Sequence, residues 1–311
     1  MRYDSRVDSS ELTEMGGPAT MEISCYTESM IGNTCLVTGG TSGIGLVTSR
    51  ELADRGANVV IAGRDQAKCV EITKKIKKQT GNASVEFLLA DLSSQDQVRQ
   101  LALDFKNRYR CLDVLVNNAG AFFMGRKTSV DGIEMTFALN HLSYFLLTNL
   151  MLDALIDSDR ARIVNVASAV HKGAKIKMDS VHSPRLYFGW RAYSRSKLCN
   201  LLFTYEMARR LEGTPVTVNA LHPGLVGTNI LNNNGLIGRV LNYLLCVRGV
   251  SVEDGAQTSV YAATSPEMEG VTGKYLEKSK AVYSSKISYD EDQPSALWAM
   301  SARLTSLSWT V

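Results

Sequence analysis

The sequence predicts one α/β domain built as a doubly wound parallel sheet with helices on both faces. Three observations predict it. From Thr34 onward, short apolar runs alternate with segments of helical spacing. The runs are apolar throughout rather than at every second residue, as strands buried on both faces must be. The first run ends in a glycine-rich turn that leads directly into a helix. Alternation of this kind buries a parallel sheet between two helical layers. No linker-like break separates the units, so residues 31–311 read as one domain. Residues 1–30 mix Asp, Glu, Ser, Gly and Pro and read as a flexible extension.

The elements follow in order. Thr34–Thr38 is the first strand, and Ile44–Arg55 is a helix that stops before Gly56. Asn58–Ala62 is the second strand, and Gln66–Thr80 a helix ended by Gly81. Val85–Leu89 is the third strand, followed by Asp91 and a helix over Ser94–Tyr109. Val114–Asn117 is the fourth strand, and helical segments occupy about Val130–Asp157. Arg162–Ala167, the helix Tyr193–Leu211 and the strand Thr217–Leu221 continue the rhythm. Two excursions interrupt it. His171–Ala192 separates a strand from its helix, and Leu225–Glu253 is a long insertion with a turn at Leu231–Gly235 and an apolar stretch at Leu236–Cys246. Long excursions in a compact domain are usually functional. Both follow strands, at the carboxyl edge where such sheets bind ligands. The second, about 225–253, reads as an apolar substrate lid.

Composition excludes several functions. The chain has 311 residues, 45% hydrophobic and 21% charged, with a net charge of +3. That charge is too small for nucleic-acid binding, and the run Lys74-Lys75-Ile76-Lys77-Lys78 is the solvated face of a helix. The six cysteines are scattered without C-x-x-C spacing, and the four histidines lack ligand spacing, so no metal site is expected. Of those histidines, His141 and His222 read as core groups, while His171 is a candidate for the pocket mouth. No stretch has the roughly 20 apolar residues that span a bilayer. With no signal-peptide core either, the expected location is cytoplasmic; peripheral membrane contact stays open.

Chemistry concentrates in a few motifs. Tyr193 and Lys197 are four residues apart, so a helix stacks a phenol and an ammonium on one face. A phenol titrates near ~10, and a fixed cation beside it favours the phenolate. Such a pair is a general acid/base. The first strand runs into Thr38-Gly39-Gly40-Thr41-Ser42-Gly43-Ile44-Gly45. Glycines at 39, 43 and 45 permit a tight turn and a close backbone approach, with the helix N-terminus aimed at a pyrophosphate. This makes the domain Rossmann-type. At the end of the second strand, Gly63 stands where an NAD enzyme places an acid, and Arg64 follows. Arginine pairs with a 2′-phosphate, so NADP(H) is favoured over NAD(H). Asp65 is the competing acid, expected instead to cap the helix at Gln66.

The glycine turn, Asn117-Asn118-Ala119-Gly120, Ser168 and Tyr193-x-x-x-Lys197, in that order, resemble the short-chain dehydrogenase/reductase family. The resemblance runs from about Thr34 to about Leu276. Asn140–Thr148, the long gap between Ser168 and Tyr193, Asp254–Thr258 and Gly273-Lys274-Tyr275 resemble its retinol dehydrogenase-like branch. The resemblance implies Tyr193 as catalytic acid/base and Lys197 as a partner of both Tyr193 and the nicotinamide ribose. It implies Ser168 as the holder of the substrate oxygen, an oxyanion-type donor, against a plain reading as a turn cap. It implies Asn140 as support for a water in a proton relay, against a reading as a satisfied core amide. Cofactor contacts are implied at Gly39, Thr41, Ser42, Gly43, Ile44, Gly45, Arg64, Asn118, Ala119, Gly120, Pro223, Gly224 and Thr228. Asp91-Leu92 match the adenine-contact position, with Asp91 as a helix cap the competing reading.

The expected activity is hydride transfer between nicotinamide and a lipophilic carbonyl or alcohol. Phe122, Phe123, Met124 and the two excursions would bound the pocket. A retinoid, steroid, fatty aldehyde or polyketide-type ketone fits it. Two alternatives use the same scaffold: non-redox dehydration or isomerisation, and nicotinamide sensing without turnover. The resemblance also implies pairing between subunits through the helices around Asn140 and Tyr193, as a homodimer or homotetramer.

Overall fold

The computed structural model describes residues 29–178, 181–182, 186–224, 226, 229–235 and 250–308. Among them, eight strands form one sheet in the order β3-β2-β1-β4-β5-β6-β7-β8. They are β1 (Thr34–Thr38), β2 (Asn58–Gly63), β3 (Val85–Leu89), β4 (Val114–Asn117), β5 (Arg162–Val166), β6 (Thr217–His222), β7 (Tyr275–Glu277) and β8 (Lys280–Val282). All neighbours pair in parallel except β7 and β8. That last pair is a hairpin whose two loop residues, Lys278 and Ser279, both have positive φ, of 50° and 59°. Two left-handed residues match the twist of the flanking strands. The six strands read from the sequence are the first six; β7 and β8 are too short to carry a pattern.

The helices are α1 (Gly43–Asp54), α2 (Gln66–Thr80), α3 (Gln95–Lys106), α4 (Met135–Phe137), α5 (Ser143–Leu150), α6 (Leu152–Ile156), α7 (Gly189–Arg210), α8 (Val252–Thr264) and α9 (Asp292–Leu304). The central strands face both layers. In β1, Cys35 and Val37 pack with Leu52 of α1, Ile72 and Ile76 of α2 and Ala262 of α8. Leu36, between them, packs with Leu101 and Phe105 of α3, Phe145 of α5 and Phe203 of α7. Side chains alternate across a strand, so a run that is mostly apolar on both faces can fill both cores. Every residue of β1, β4 and β5 is buried accordingly.

Between α4 and α5 the chain makes a π-helical turn, Ala138–Leu142. The Ser143 N–H reaches back to the Ala138 carbonyl, and the bypassed Leu139 carbonyl accepts the Ser143 hydroxyl at 2.6 Å. Turns of this kind cluster at functional sites. This one presents Asn140.

A buried amide chain joins the sheet to the helices behind it. Asn117 Nδ2 of β4 donates to Thr148 Oγ1 of α5 and to Asn165 Oδ1 of β5, both at 2.9 Å. Asn165 Nδ2 donates to Thr204 Oγ1 of α7 at 3.0 Å. All four residues have 0% exposure. Asn165→Ala would strand buried partners on both sides, at a cost of about 2–3 kcal/mol. Urea denaturation should show a lower midpoint with an unchanged slope.

Candidate active site

Strand order reverses direction at β1: the chain first builds outward through β2 and β3, then returns to place β4 on the other side. The crevice outside the carboxyl ends of β1 and β4 is where such sheets bind ligands. The glycine turn fills one side of it. Gly39 and Gly43 have φ of +65° and +55°, which a side chain would strain. Gly45 has no room: a Cβ there would lie 2.5 Å from the Gly39 carbonyl and collide with the Asn118 amide. Gly40 is also closed, since a Cβ would lie 2.8 Å from both Ile61 Cγ2 and Ser49 Oγ. That fourth constraint depends on what packs behind the turn and is not readable from spacing.

Asn118 and Thr38 lock the turn to β4. Asn118 Nδ2 donates to the Thr38 carbonyl at 2.8 Å, and Thr38 Oγ1 accepts from the N–H groups of Asn118 and Ala119 at 2.8 and 3.0 Å. The helix end beyond the turn is uncapped by side chains. Ser42, the N-cap of α1, makes no side-chain cap, and the first turn carries no acid. The protein therefore leaves the helix-terminal N–H groups and the positive end of the dipole to a ligand.

At the end of β2, a Cβ on Gly63 would lie 2.7 Å from Cys69 Sγ and 3.0 Å from Thr41 Cγ2. No acidic side chain fits there. Asp65 is the N-cap of α2, its Oδ1 accepting the Lys68 N–H at 3.1 Å, as expected from the sequence. Arg64 is exposed at the rim, with Nη2 3.5 Å from Asn233 Oδ1. At the end of β3, Asp91 Oδ1 accepts the Ser93 N–H and hydroxyl at 2.9 and 2.7 Å, while Ser94 rather than Asp91 caps α3.

The other side of the crevice carries the acid/base candidates. Lys197 of α7 is 3% exposed, and its Nζ donates to the Val166 carbonyl at the end of β5 at 2.8 Å. The ammonium lies 5.8 Å from the ring centroids of both Tyr193 and Tyr144. Tyr144 is a buried phenol whose hydroxyl has no partner among the described residues. Tyr193 is half-buried, and Phe122 meets its ring edge-on at 5.8 Å. Gly120 stands between Lys197 and Asn140: a Cβ there would lie 3.2 Å from Asn140 Oδ1 and 3.6 Å from Lys197 Nζ.

Asn140 is fully buried. Its Oδ1 accepts the Ala121 N–H at 2.9 Å, and its Nδ2 donates to the Ala121 carbonyl and to Ser196 Oγ, both at 3.0 Å. Ser196 Oγ donates to the Tyr193 carbonyl at 2.8 Å. Both amide hydrogens are thus committed to the protein. Ser168 lies two residues past the end of β5, with its Oγ 3.5 Å from the Val170 nitrogen, a long cap that leaves the hydroxyl lightly held.

Three expectations change. Burial pushes the Tyr193 phenol above its ordinary value, rather than Lys197 drawing it down. Burial likewise lowers the Lys197 ammonium to about 7. Desolvation is the cause in both, and Nζ makes its hydrogen bond to the Val166 carbonyl. His171 is buried rather than at the pocket mouth, held by Ser168 and Ser285. Residues 229–234 form a 3-10 helix rather than a simple turn, and Asn234 clasps the 122–124 loop from both sides. His141 and His222 are buried, as expected. Pro223 and Gly224 close the end of β6 beneath the start of α8. Val226 and Val250 form an isolated bridge at the two ends of the second excursion. Thr228 and most of the expected lid lie outside the described residues.

A protein-family model described as short chain dehydrogenase matches residues 33–236. The chain belongs to the short-chain dehydrogenase/reductase family. It is 41% identical to human polyprenol dehydrogenase over 282 residues, covering 88% of this chain and 84% of that protein. It is 40% identical to human retinol dehydrogenase 13 over 284 residues, covering 89% and 85%. It falls with the retinol dehydrogenase-like branch and is an oxidoreductase of alcohol and carbonyl groups. A solved but uncharacterised protein of Mycobacterium paratuberculosis superposes with a TM-score of 0.74 at 33% identity, over 91% of this chain and 97% of that one. The Pseudomonas aeruginosa RhlG/NADP complex superposes at 0.64 with 26% identity, over 80% and 95%. Among the described residues no helix is long and apolar enough to cross a membrane.

The titration of Lys197 has a kinetic consequence. In the free protein its cation is present below about pH 7 and lost above it. In the reduction direction, kcat/KM for the reduced cofactor should be flat on the acid side and decline above pH ~7, as pH profiles of kcat/KM report the free enzyme. Lys197→Arg keeps a cation at all these pH values, so stopped-flow or steady-state profiles should lose that inflection.

Proposed function

We propose that this protein is an NADP(H)-dependent oxidoreductase acting on a lipophilic carbonyl or alcohol. The observation that carries the cofactor choice is the end of β2. Gly63 has no space for an acid, Asp65 is spent as a helix cap and Arg64 remains at the rim. A guanidinium there suits a 2′-phosphate, which an NAD-binding carboxylate would repel. The NADP named in the RhlG complex supports the same choice.

The glycine turn, the open N-terminus of α1, Asn118, Ala119, Gly120, Pro223, Gly224 and Thr228 would hold the cofactor, which supplies or accepts a hydride at its nicotinamide ring. The residues of this chain handle the oxygen. In reduction, hydride reaches the carbonyl carbon as the Tyr193 phenol donates its proton to the oxygen, giving an alcohol. The raised phenol pKa keeps that proton in place at neutral pH. Ser168 Oγ donates a second hydrogen bond to the same oxygen, where negative charge grows in the transition state. Lys197 stabilises the tyrosinate left behind. Oxidation runs the same steps in reverse.

The substrate reading rests on Phe122 against Tyr193, on the apolar composition of the 122–124 loop and the two excursions, and on the relatives named for retinol and polyprenol. These support a long or polycyclic apolar molecule bearing one reactive oxygen.

Two measurements check this. With a panel of lipophilic aldehydes and ketones, Tyr193→Phe should abolish oxidation of NADPH at the reduced-nicotinamide absorbance band while NADPH binding survives. Product formed without cofactor consumption would favour the non-redox alternative, and binding without turnover the sensor. Separately, Arg64→Ala should reduce the NADPH-over-NADH ratio of kcat/KM by about 10- to 100-fold, the worth of a charge-assisted pair. A preference for NADH in the unmodified protein that survives this change rejects the NADP(H) assignment.

A further inference from the structure

Ser168 is held from behind by a residue that the proposed chemistry does not use. His171 is 0% exposed, one turn beyond it. Its Nδ1 lies 2.6 Å from the Ser168 carbonyl oxygen, which also accepts the His171 main-chain N–H at 3.2 Å. Its Nε2 lies 3.2 Å from the main-chain nitrogen of Ser285. The ring meets Tyr275 of β7 edge-on at 5.1 Å. A carbonyl oxygen can only accept, and a main-chain N–H can only donate. Together the two contacts allow one state of the ring: neutral, with its proton on Nδ1 and its lone pair on Nε2. Burial, which lowers the imidazole pKa, acts in the same sense.

The far end of this tether is wired to the other half of the site. Ser285 precedes a short 3-10 turn, Lys286–Tyr289, and its neighbour Ser284 has Oγ 2.7 Å from Tyr205 Oη. Ser284 Oγ also lies 2.6 Å from Ser288 Oγ, and Tyr289 stacks on the Tyr205 ring at 5.4 Å and 15°. Tyr205 sits on α7, about three turns beyond Tyr193. Residues 284–289 therefore touch the Ser168 turn through His171 and the Tyr193 helix through Tyr205. Two groups that must meet one substrate oxygen are braced against the same segment. An error of about 1 Å in such a constellation costs on the order of 100-fold in rate.

We propose that His171 is a positioning residue: donating from Nδ1 to Ser168 and accepting at Nε2 from Ser285, it sets Ser168 at the distance from Tyr193 that the reaction needs. The inference rests on the reading of Ser168 as the second donor to the substrate oxygen. Neither the motif spacing nor the family match points to it; the contact of residues 171 and 285 exists only in the fold.

The test is a double-mutant cycle in the full chain with Ser168→Ala and His171→Ala, joined by His171→Asn and Ser285→Pro. An Asn amide places an N–H where Nδ1–H stands and keeps the bond to Ser168. Proline removes the Ser285 N–H together with a hydroxyl that has no partner among the described residues, and the φ of −73° at that position suits it. His171→Ala should lower kcat about 10- to 100-fold with cofactor KM unchanged, and His171→Asn, which keeps the bond to Ser168 but not the one to Ser285, should recover part of the loss. Ser285→Pro should lower kcat in the same direction. In the Ser168→Ala background, His171→Ala should change kcat by less than about twofold, because the group it positions is gone. A full-sized loss in that background, or no loss in the unmodified one, overturns the proposal. If Ser168→Ala alone leaves kcat intact, the role given to Ser168 fails instead. The tether is then decided by nitrogen-15 NMR of the imidazole. An Nδ1–H tautomer disturbed by Ser285→Pro upholds it, and an Nε2–H tautomer rejects it.

Discussion

Lys197 carries its ammonium into the interior, and the carboxyl edge of the sheet is built around holding it there. A buried cation needs an acceptor, and the Val166 carbonyl at 2.8 Å is that acceptor. The bond ties α7 to the last residue of β5, two residues before Ser168. It thereby sets the helix bearing Tyr193 against the strand that delivers Ser168. Two phenol rings, Tyr144 and Tyr193, flank the same ammonium. Gly120 keeps a side chain out of the space beside it, and Asn140 braces the loop that follows through both polar atoms of Ala121. Moving the ammonium would disturb each of these contacts.

The cost of this arrangement appears in the titration. Burial lowers Lys197 to about 7 and raises the two phenols near it. The pair is therefore not a pre-ionised tyrosinate beside a fixed cation. It is a protonated phenol beside an amine that titrates near neutrality. That suits a site which must both give and take a proton, since a donor must hold its proton until the substrate oxygen needs it. The amide chain Asn117–Asn165–Thr204 supports this edge from below, because β4, β5 and α7 all contribute to both layers of contact.

A second theme is how much of the site is main chain. The glycine-turn side offers a helix end, glycines without room for Cβ atoms, and carbonyls latched by Asn118. The acid/base side uses the carbonyls of Val166, Tyr193, Ala121 and Ser168 as fixed acceptors. Backbone groups carry no rotamer freedom of their own, so a site anchored on them is preorganised by the strands that end there.

What the sequence determined by itself follows from local rules. Strands of a covered parallel sheet are mostly apolar on both faces, so β1 to β6 could be located. Glycines 39, 43 and 45, the Tyr193/Lys197 spacing and Asp65 ahead of Gln66 each answer to steric or helical periodicity within a few residues. Their order along the chain was enough to identify the family. Tertiary structure decided whatever depends on residues far apart in the chain. Gly40 is required because Ile61 and Ser49 lie behind it. His171 is a strut because Ser285, 114 residues later, meets its Nε2. The Tyr193 pKa moved opposite to the local expectation because burial, a property of the whole fold, outweighs a neighbour one helical turn away. Periodicity reports which face a residue occupies, but only packing reports what it meets there.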